Sequence, residues 1–174
     1  AKSWTVADDG VTWTVELYDY ITDSEGRSIT ANDIVWFVTQ SQEQNTKPCF
    51  KKIKSIEAKG DYTVEMVFAQ NIAEAFEVCL ESTFLVSRES YEASADGFAT
   101  KPISASPYVV TEFKPDNSIT FELRDDYWQT EEQDPGLGHN IQKLTHILIT
   151  EASQQQIALE TGTIDIMPRI NPTV

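Results

Sequence analysis

Hydrolytic chemistry needs a nucleophile, a base that activates it and a group that orients the base. This chain has two histidines, His139 and His146, and no Gly-x-Ser-x-Gly elbow. His139 stands in an acidic stretch and His146 in strand-like sequence, so a solvated and a packed imidazole are expected. Cys49 and Cys79 make no Cys-x-x-Cys pair, and the histidines make no His-Glu-x-x-His pair, so zinc spacing is missing. Asp125-Asp126 and Glu131-Glu132 with Asp134 are rich in carboxylates. They lack the alternation and closing glutamate of a calcium loop. No glycine-rich turn leads into a helix to cradle a phosphate. These residues predict a protein that is not an enzyme and holds no cofactor or metal.

The charge narrows the partners. Among 174 residues there are 13 Lys and Arg against 28 Asp and Glu, a formal charge of −15. Such a surface repels phosphate backbones and anionic headgroups, which argues against nucleic acid and electrostatic membrane attachment. No apolar run reaches the roughly 20 residues of a membrane span, so direct insertion is not expected. Ala1-Lys2-Ser3-Trp4 leads into strand-like sequence, and Ile164-Asp165-Ile166-Met167 follows without an evident stop. The chain therefore reads as a piece of a longer protein.

The elements that must position any site follow from periodicity. The segment Pro102 to Trp128 predicts a hairpin. Val109, Thr111 and Phe113 alternate with Tyr108, Val110 and Glu112, and Ile119, Phe121 and Leu123 alternate with Thr120, Glu122 and Arg124. Lys114-Pro115-Asp116-Asn117-Ser118 supplies the turn. Trp13, Val15 and Leu17 mark a half-buried strand after the turn Asp8-Asp9-Gly10. Thr30, with Asp33 three residues on, predicts a capped helix over 31–43 that carries Ile34, Val35, Phe37 and Val38. A second hairpin is expected around Lys59-Gly60-Asp61, with Tyr62, Val64, Met66 and Phe68 on one face. Short helices are expected after Asn71 and over Arg88 to Ala95. Residues 129–140 read as an acidic surface loop, and Leu144, His146 and Leu148 as a buried strand. A last helix starts near Ser153 and ends at Gly162. The fold class is α+β, with mixed, mostly antiparallel sheets and peripheral helices. A pattern break near Asp96 to Pro102 divides two subregions.

Five segments in order resemble one family, the extracellular solute-binding proteins of peptide-type ABC importers (the oligopeptide, dipeptide and nickel-binding class). Lys2-Ser3-Trp4 with Asp8-Asp9-Gly10-Val11-Thr12-Trp13 resembles the family's A-x-S-W and D-D-G-x-T-Y. Glu25-Gly26 through Thr30-Ala31-Asn32-Asp33 resembles D-G-x-P-L-T-A-x-D. Ser55-Ile56-Glu57 through Tyr62-Thr63-Val64 resembles S-V-E-x-x-D-D-Y-T-V. Phe98 through Pro107-Tyr108, the hairpin and Tyr127-Trp128 resemble F-x-x-x-P-V-G-T-G-P-Y followed by N-x-x-Y-W. Glu160-Thr161-Gly162 through Asp165-Ile166 resembles Q-S-G-E-V-D-I. The chain departs at Ser104-Ala105-Ser106, where the family shows Gly-Thr-Gly. It departs again around Thr22-Asp23-Ser24, where the family shows F-H-D-G.

The resemblance implies a fragment of a two-lobed, type II periplasmic-binding-protein-like fold. Residues 1–100 would be a partial small N-terminal subdomain and residues 101–174 part of the first ligand-binding lobe, with the second lobe absent. It implies capture of peptides or similar small solutes at the extracellular face of the membrane or in the periplasm, and delivery to ABC permease subunits. A lipoprotein cysteine upstream would fit that location. Phe50, near the segment after the first long helix, Ser104, Ser106 and Tyr108 are the ligand-contact residues it points to, each beside a packing or loop-bonding role. Trp128 reads as core. The oxidising location favours a disulfide between Cys49 and Cys79. The rival reading is an acidic extracellular interaction or adhesion domain without a small ligand.

Overall fold

The structure, a computed structural model, describes residues 1–71, 73–130 and 140–167, with the backbone alone for 73–76. The expected acidic loop lies mostly outside these residues, as does His139. Two antiparallel sheets make up the strands. The first has the order β1 (Ser3–Val6), β2 (Thr12–Glu16), β4 (Thr63–Phe68), β3 (Ile53–Ala58). The second has the order β5 (Tyr108–Lys114), β6 (Ser118–Leu123), β7 (Lys143–Ile147).

The first sheet forms where the alternation predicts. Val64, Met66 and Phe68 of β4 all point into the core, and Val15 of β2 lies opposite Val64. Each such buried side chain stabilises the fold by about 1.5–3 kcal/mol. Asp9 sets the β1–β2 turn by accepting from the N–H groups of Val11 and Thr12, both at 2.9 Å. Gly10 follows at φ +68°, a conformation open to glycine at little cost.

Helix α1 (Ala31–Glu43) lies against β3 and β4 with Ala31, Ile34 and Val38 inward. A 3₁₀ turn, Pro48–Lys52, follows it. The Gln42 amide ties the two together, donating to the Phe50 carbonyl at 2.8 Å and the Ile53 carbonyl at 3.0 Å. Helices α2 (Ala73–Ser82) and α3 (Arg88–Ala93) complete the first part, and α4 (Ala152–Glu160) follows the second sheet. The core is drawn from Val15 to Cys79 together with Ala105, and Trp128 packs against it.

Two sequence expectations change here. The β5–β6 register slips between Val110 and Glu112, so the simple alternation fails at Thr111 and Phe113 is left 39% exposed. β7 is not buried: every residue from Lys143 to Ile147 is exposed. Its alternation puts Leu144 and His146 on one face and Lys143, Thr145 and Ile147 on the other, and all five remain exposed.

Candidate functional site

The two sheets meet at a polar junction built on Arg124, immediately after β6. Its side chain is only 2% exposed. One guanidinium nitrogen donates to the Asp23 carbonyl at 2.7 Å, and another reaches the carbonyls of Ser106 at 3.4 Å and Thr22 at 3.5 Å. Nε donates to Asp126 at 3.0 Å. This contact holds the Asp126 carboxyl below its ordinary pKa, with the hydrogen bond as the largest cause. A buried cation is tolerable only when its donors are filled, and here oxygens surround it.

Asp23 is the second fixed point. It is fully buried, and its carboxylate accepts from the Glu25 and Arg27 N–H groups at 2.9 and 3.0 Å. Its other oxygen accepts from the Ser90 hydroxyl at 2.5 Å. The turn from Thr22 to Ser28 is thereby pinned to α3 below and to the Arg124 segment above. Asp33 does similar work nearby. It accepts from the Thr30 N–H at 2.8 Å, as the capping-box spacing predicts, and also from the Arg88 N–H at the start of α3 at 2.8 Å.

The Ser104-Ala105-Ser106 loop runs through this junction. The Ser104 carbonyl accepts from Ser24 N–H at 3.0 Å, and Ala105 N–H donates to the Leu85 carbonyl at 2.9 Å. The Ser104 hydroxyl accepts from Ser106 N–H, and the Ser106 hydroxyl from Tyr108 N–H, both at 3.3 Å. Both serines therefore bond the loop's own backbone. Tyr108 donates its hydroxyl proton to the Ile141 carbonyl at 2.7 Å, bracing the hairpin against the chain entering β7. Trp128 donates from its indole to the Ala105 carbonyl at 2.9 Å. Thus Ser104, Ser106 and Tyr108 are gathered in one place, whereas Phe50 is apart. Phe50 is fully buried and meets Phe37 edge-on at 6.0 Å, so the structure places its ring in the core and not at a cleft.

Beside the loop lies an open groove of about 480 Å³. Ser24 and Glu25 form one part of its wall, Thr100 and Lys101 another, and β5 from Val109 to Phe113 the third. Among the described strands β5 pairs with β6 alone, so its outer edge faces this groove. Glu25 is engaged by Arg27 at 2.6 Å. An aromatic run flanks the junction on another side: Tyr18 and Tyr20 are 5.0 Å apart, Tyr20 and Trp128 6.3 Å, and Trp128 and Tyr127 5.3 Å. Strand edge, opposite charges, hydroxyls and aromatic faces suit non-covalent binding. Among the described residues no group of three or more His, Cys, Asp or Glu is placed to hold a metal ion.

The family model for bacterial extracellular solute-binding proteins, family 5 Middle, matches residues 1–174. The chain belongs to this family. The di/tripeptide-binding protein 1 of Pseudomonas aeruginosa is 25% identical over 202 residues, covering 99% of this chain and 36% of that protein. The nickel-binding periplasmic protein of Escherichia coli is 27% identical over 183 residues, covering 96% and 32%. NikZ of Campylobacter jejuni, solved with Ni(L-His), superposes with a TM-score of 0.77 at 19% identity, over 94% of this chain and 33% of NikZ. The fold is that of type II periplasmic-binding proteins, and the chain spans about a third of the length of these relatives. Members of this family are binding proteins and not enzymes. An adhesion domain without a small ligand finds no support among the matches.

Sequence reasoning missed Asp23, Arg124, Glu25 and Lys101. The departure at Thr22-Asp23-Ser24 marked the first of these, but nothing local paired it with Arg124, which is 101 positions away. Cys49 and Cys79 are free thiols in this structure. They belong to one packed region, Cys79 within the core cluster and Cys49 against it. Burial, then the nearby Cys49, raises the Cys79 pKa from 9.0 to about 12.

Proposed function

We propose that the chain is part of the solute-binding component of an ABC importer, which captures peptides or similar small solutes outside the membrane or in the periplasm and passes them to permease subunits. The observation that carries this reading is the family match over residues 1–174. The relatives' names support the solute class: one binds di- and tripeptides and another nickel. In this reading the protein works by binding alone, without catalysis.

We further read residues 1–100 as a partial small subdomain and 101–174 as part of the first ligand-binding lobe. The core favours this division, because it is drawn almost wholly from the first segment, while β5 to β7 form a sheet of their own. The opposing lobe belongs to the remaining two thirds of a protein of the relatives' length. The solute lies along the groove, with its main chain on the β5 edge and its charged ends towards Lys101 and Glu25. Ser104, Ser106 and Tyr108 shape the loop beside it.

A one-lobed site buries little of a ligand, so this chain alone binds weakly. Titration calorimetry of the 174-residue chain with a di- and tripeptide pool is expected to show no micromolar binding. The same titration of the longer protein is expected to show it, and Lys101→Glu to weaken it at least tenfold. Micromolar binding by this chain alone would overturn the lobe division. A longer protein that bound no peptide, metal chelate or other small solute would overturn the importer reading.

A further inference from the structure

The 3₁₀ turn and α2 come together through two cysteines. Cys79 sits on the inward face of α2, fully buried, and Cys49 is half-buried at the start of the turn. Both belong to or pack against the same core cluster, and α2 lies directly on the turn. After burial itself, Cys49 is the neighbour that raises the Cys79 thiol pKa. Two cysteines on packed elements of one core lie where a disulfide needs only a small adjustment of their side chains. We propose that Cys49 and Cys79 are a preformed dithiol that closes to an intramolecular disulfide by exchange with a disulfide oxidant.

The difference in exposure orders the steps. Cys49, the accessible sulfur, loses its proton and attacks the oxidant disulfide. One oxidant thiolate leaves, and a mixed disulfide remains on Cys49. Cys79 then gives up its proton and attacks the Cys49 sulfur, expelling the second oxidant thiol. Two protein thiols and one oxidant disulfide become one protein disulfide and two thiols, so electrons and protons balance. The buried Cys79 holds its proton tightly, so the second step is the slow one, and it proceeds because its target sits on the element packed against α2. The bond would tether α2 to the 3₁₀ turn that carries Phe50, closing a loop of about 30 residues. This inference rests on packing within the first sheet's core and does not depend on the solute-binding reading.

The test is equilibration of the native 174-residue chain with mixtures of reduced and oxidised glutathione. Aliquots are quenched, unfolded, alkylated and weighed by mass spectrometry. The expected product is a monomer with no alkylatable thiol and no attached glutathione. Its thermal midpoint is roughly 5–10 °C above that of the reduced chain. Cys79→Ser should instead accumulate a glutathione adduct on Cys49, whereas Cys49→Ser should remain largely unmodified. The urea-unfolded chain should close at least tenfold more slowly than the native one. The inference is overturned by two alkylatable thiols after oxidation, a stable Cys49 adduct in the unsubstituted chain, a disulfide-linked dimer, or equal rates in urea and buffer.

Discussion

Arg124 carries more of the junction than any other side chain. Its guanidinium satisfies three carbonyls from two distant segments and one carboxylate. Arg124→Met keeps much of the aliphatic bulk but removes the guanidinium donors, leaving the Asp23 carbonyl with only the Gly26 N–H at 3.1 Å. The expected loss is about 2–4 kcal/mol, read as a fall of the thermal midpoint by roughly 4–16 °C for a chain of this size. A change within 1 °C would show that the cation is dispensable. Acid acts at the same scale. Asp9, Asp96 and Asp126 all have lowered pKa values, the first two chiefly through the hydroxyls of Thr12 and Thr100 and the third through Arg124. A lowered native pKa means that the unfolded chain binds more protons, so these groups stabilise the fold above the unfolded value near 4 and cease to do so as pH falls below it. All three are solvent-facing, so the decline should be small for each. Thermal midpoints measured from pH 7 to 3 should be flat to about pH 4.5 and then fall. Asp9→Asn should reduce the fall.

At the scale of elements, periodicity and capping read well, and cross-chain contacts did not. The helix over 31–43 was legible because Thr30 and Asp33 are three residues apart and both partners of the cap are local. The same Asp33 also caps α3 from 55 positions away, which no local pattern encodes. Asp33→Ala should therefore fray two helices at once. A loss of about 1–2 kcal/mol is expected, with faster amide hydrogen exchange at the starts of both α1 and α3. Exchange that rises in α1 alone would remove the second cap from the account. β7 shows the opposite limit. Leu144 and His146 alternate with Lys143, Thr145 and Ile147 and so mark out two faces, but whether a face is buried depends on what covers it.

For the whole molecule, the uncovered strand and helix set the behaviour. Leu148 is 58% exposed, Ile147 47% and Ile157 49%, so the β7 side presents apolar groups beside a strand that pairs, among the described residues, with β6 alone. Such edges recruit further strands. The 174-residue chain should therefore self-associate at tens of micromolar, as read by sedimentation velocity. Ile147→Lys should restore the monomer with little change in unfolding midpoint, because that side chain supports no described core. A monomeric unsubstituted chain at that concentration would refute the claim. The site was legible in part for the same reason as the fold. The loop Ser104 to Tyr108 was found by its motif, whereas the groove beside it depends on residues from the Ser24 turn, far away in sequence.

The Arg124 bonds to Thr22, Asp23 and Ser106 all end on peptide carbonyls. Every amino acid has that carbonyl, so the tie is blind to the identity of the residues it holds. Positions 22 and 106 can be rewritten without loosening the joint, provided the main chain keeps its path. The scaffold thus separates the permission to vary from the obligation to stay in place. Ser104-Ala105-Ser106, standing where the family shows Gly-Thr-Gly, is a rewriting of that kind: other side chains on a main chain that Arg124 still grips through the Ser106 carbonyl.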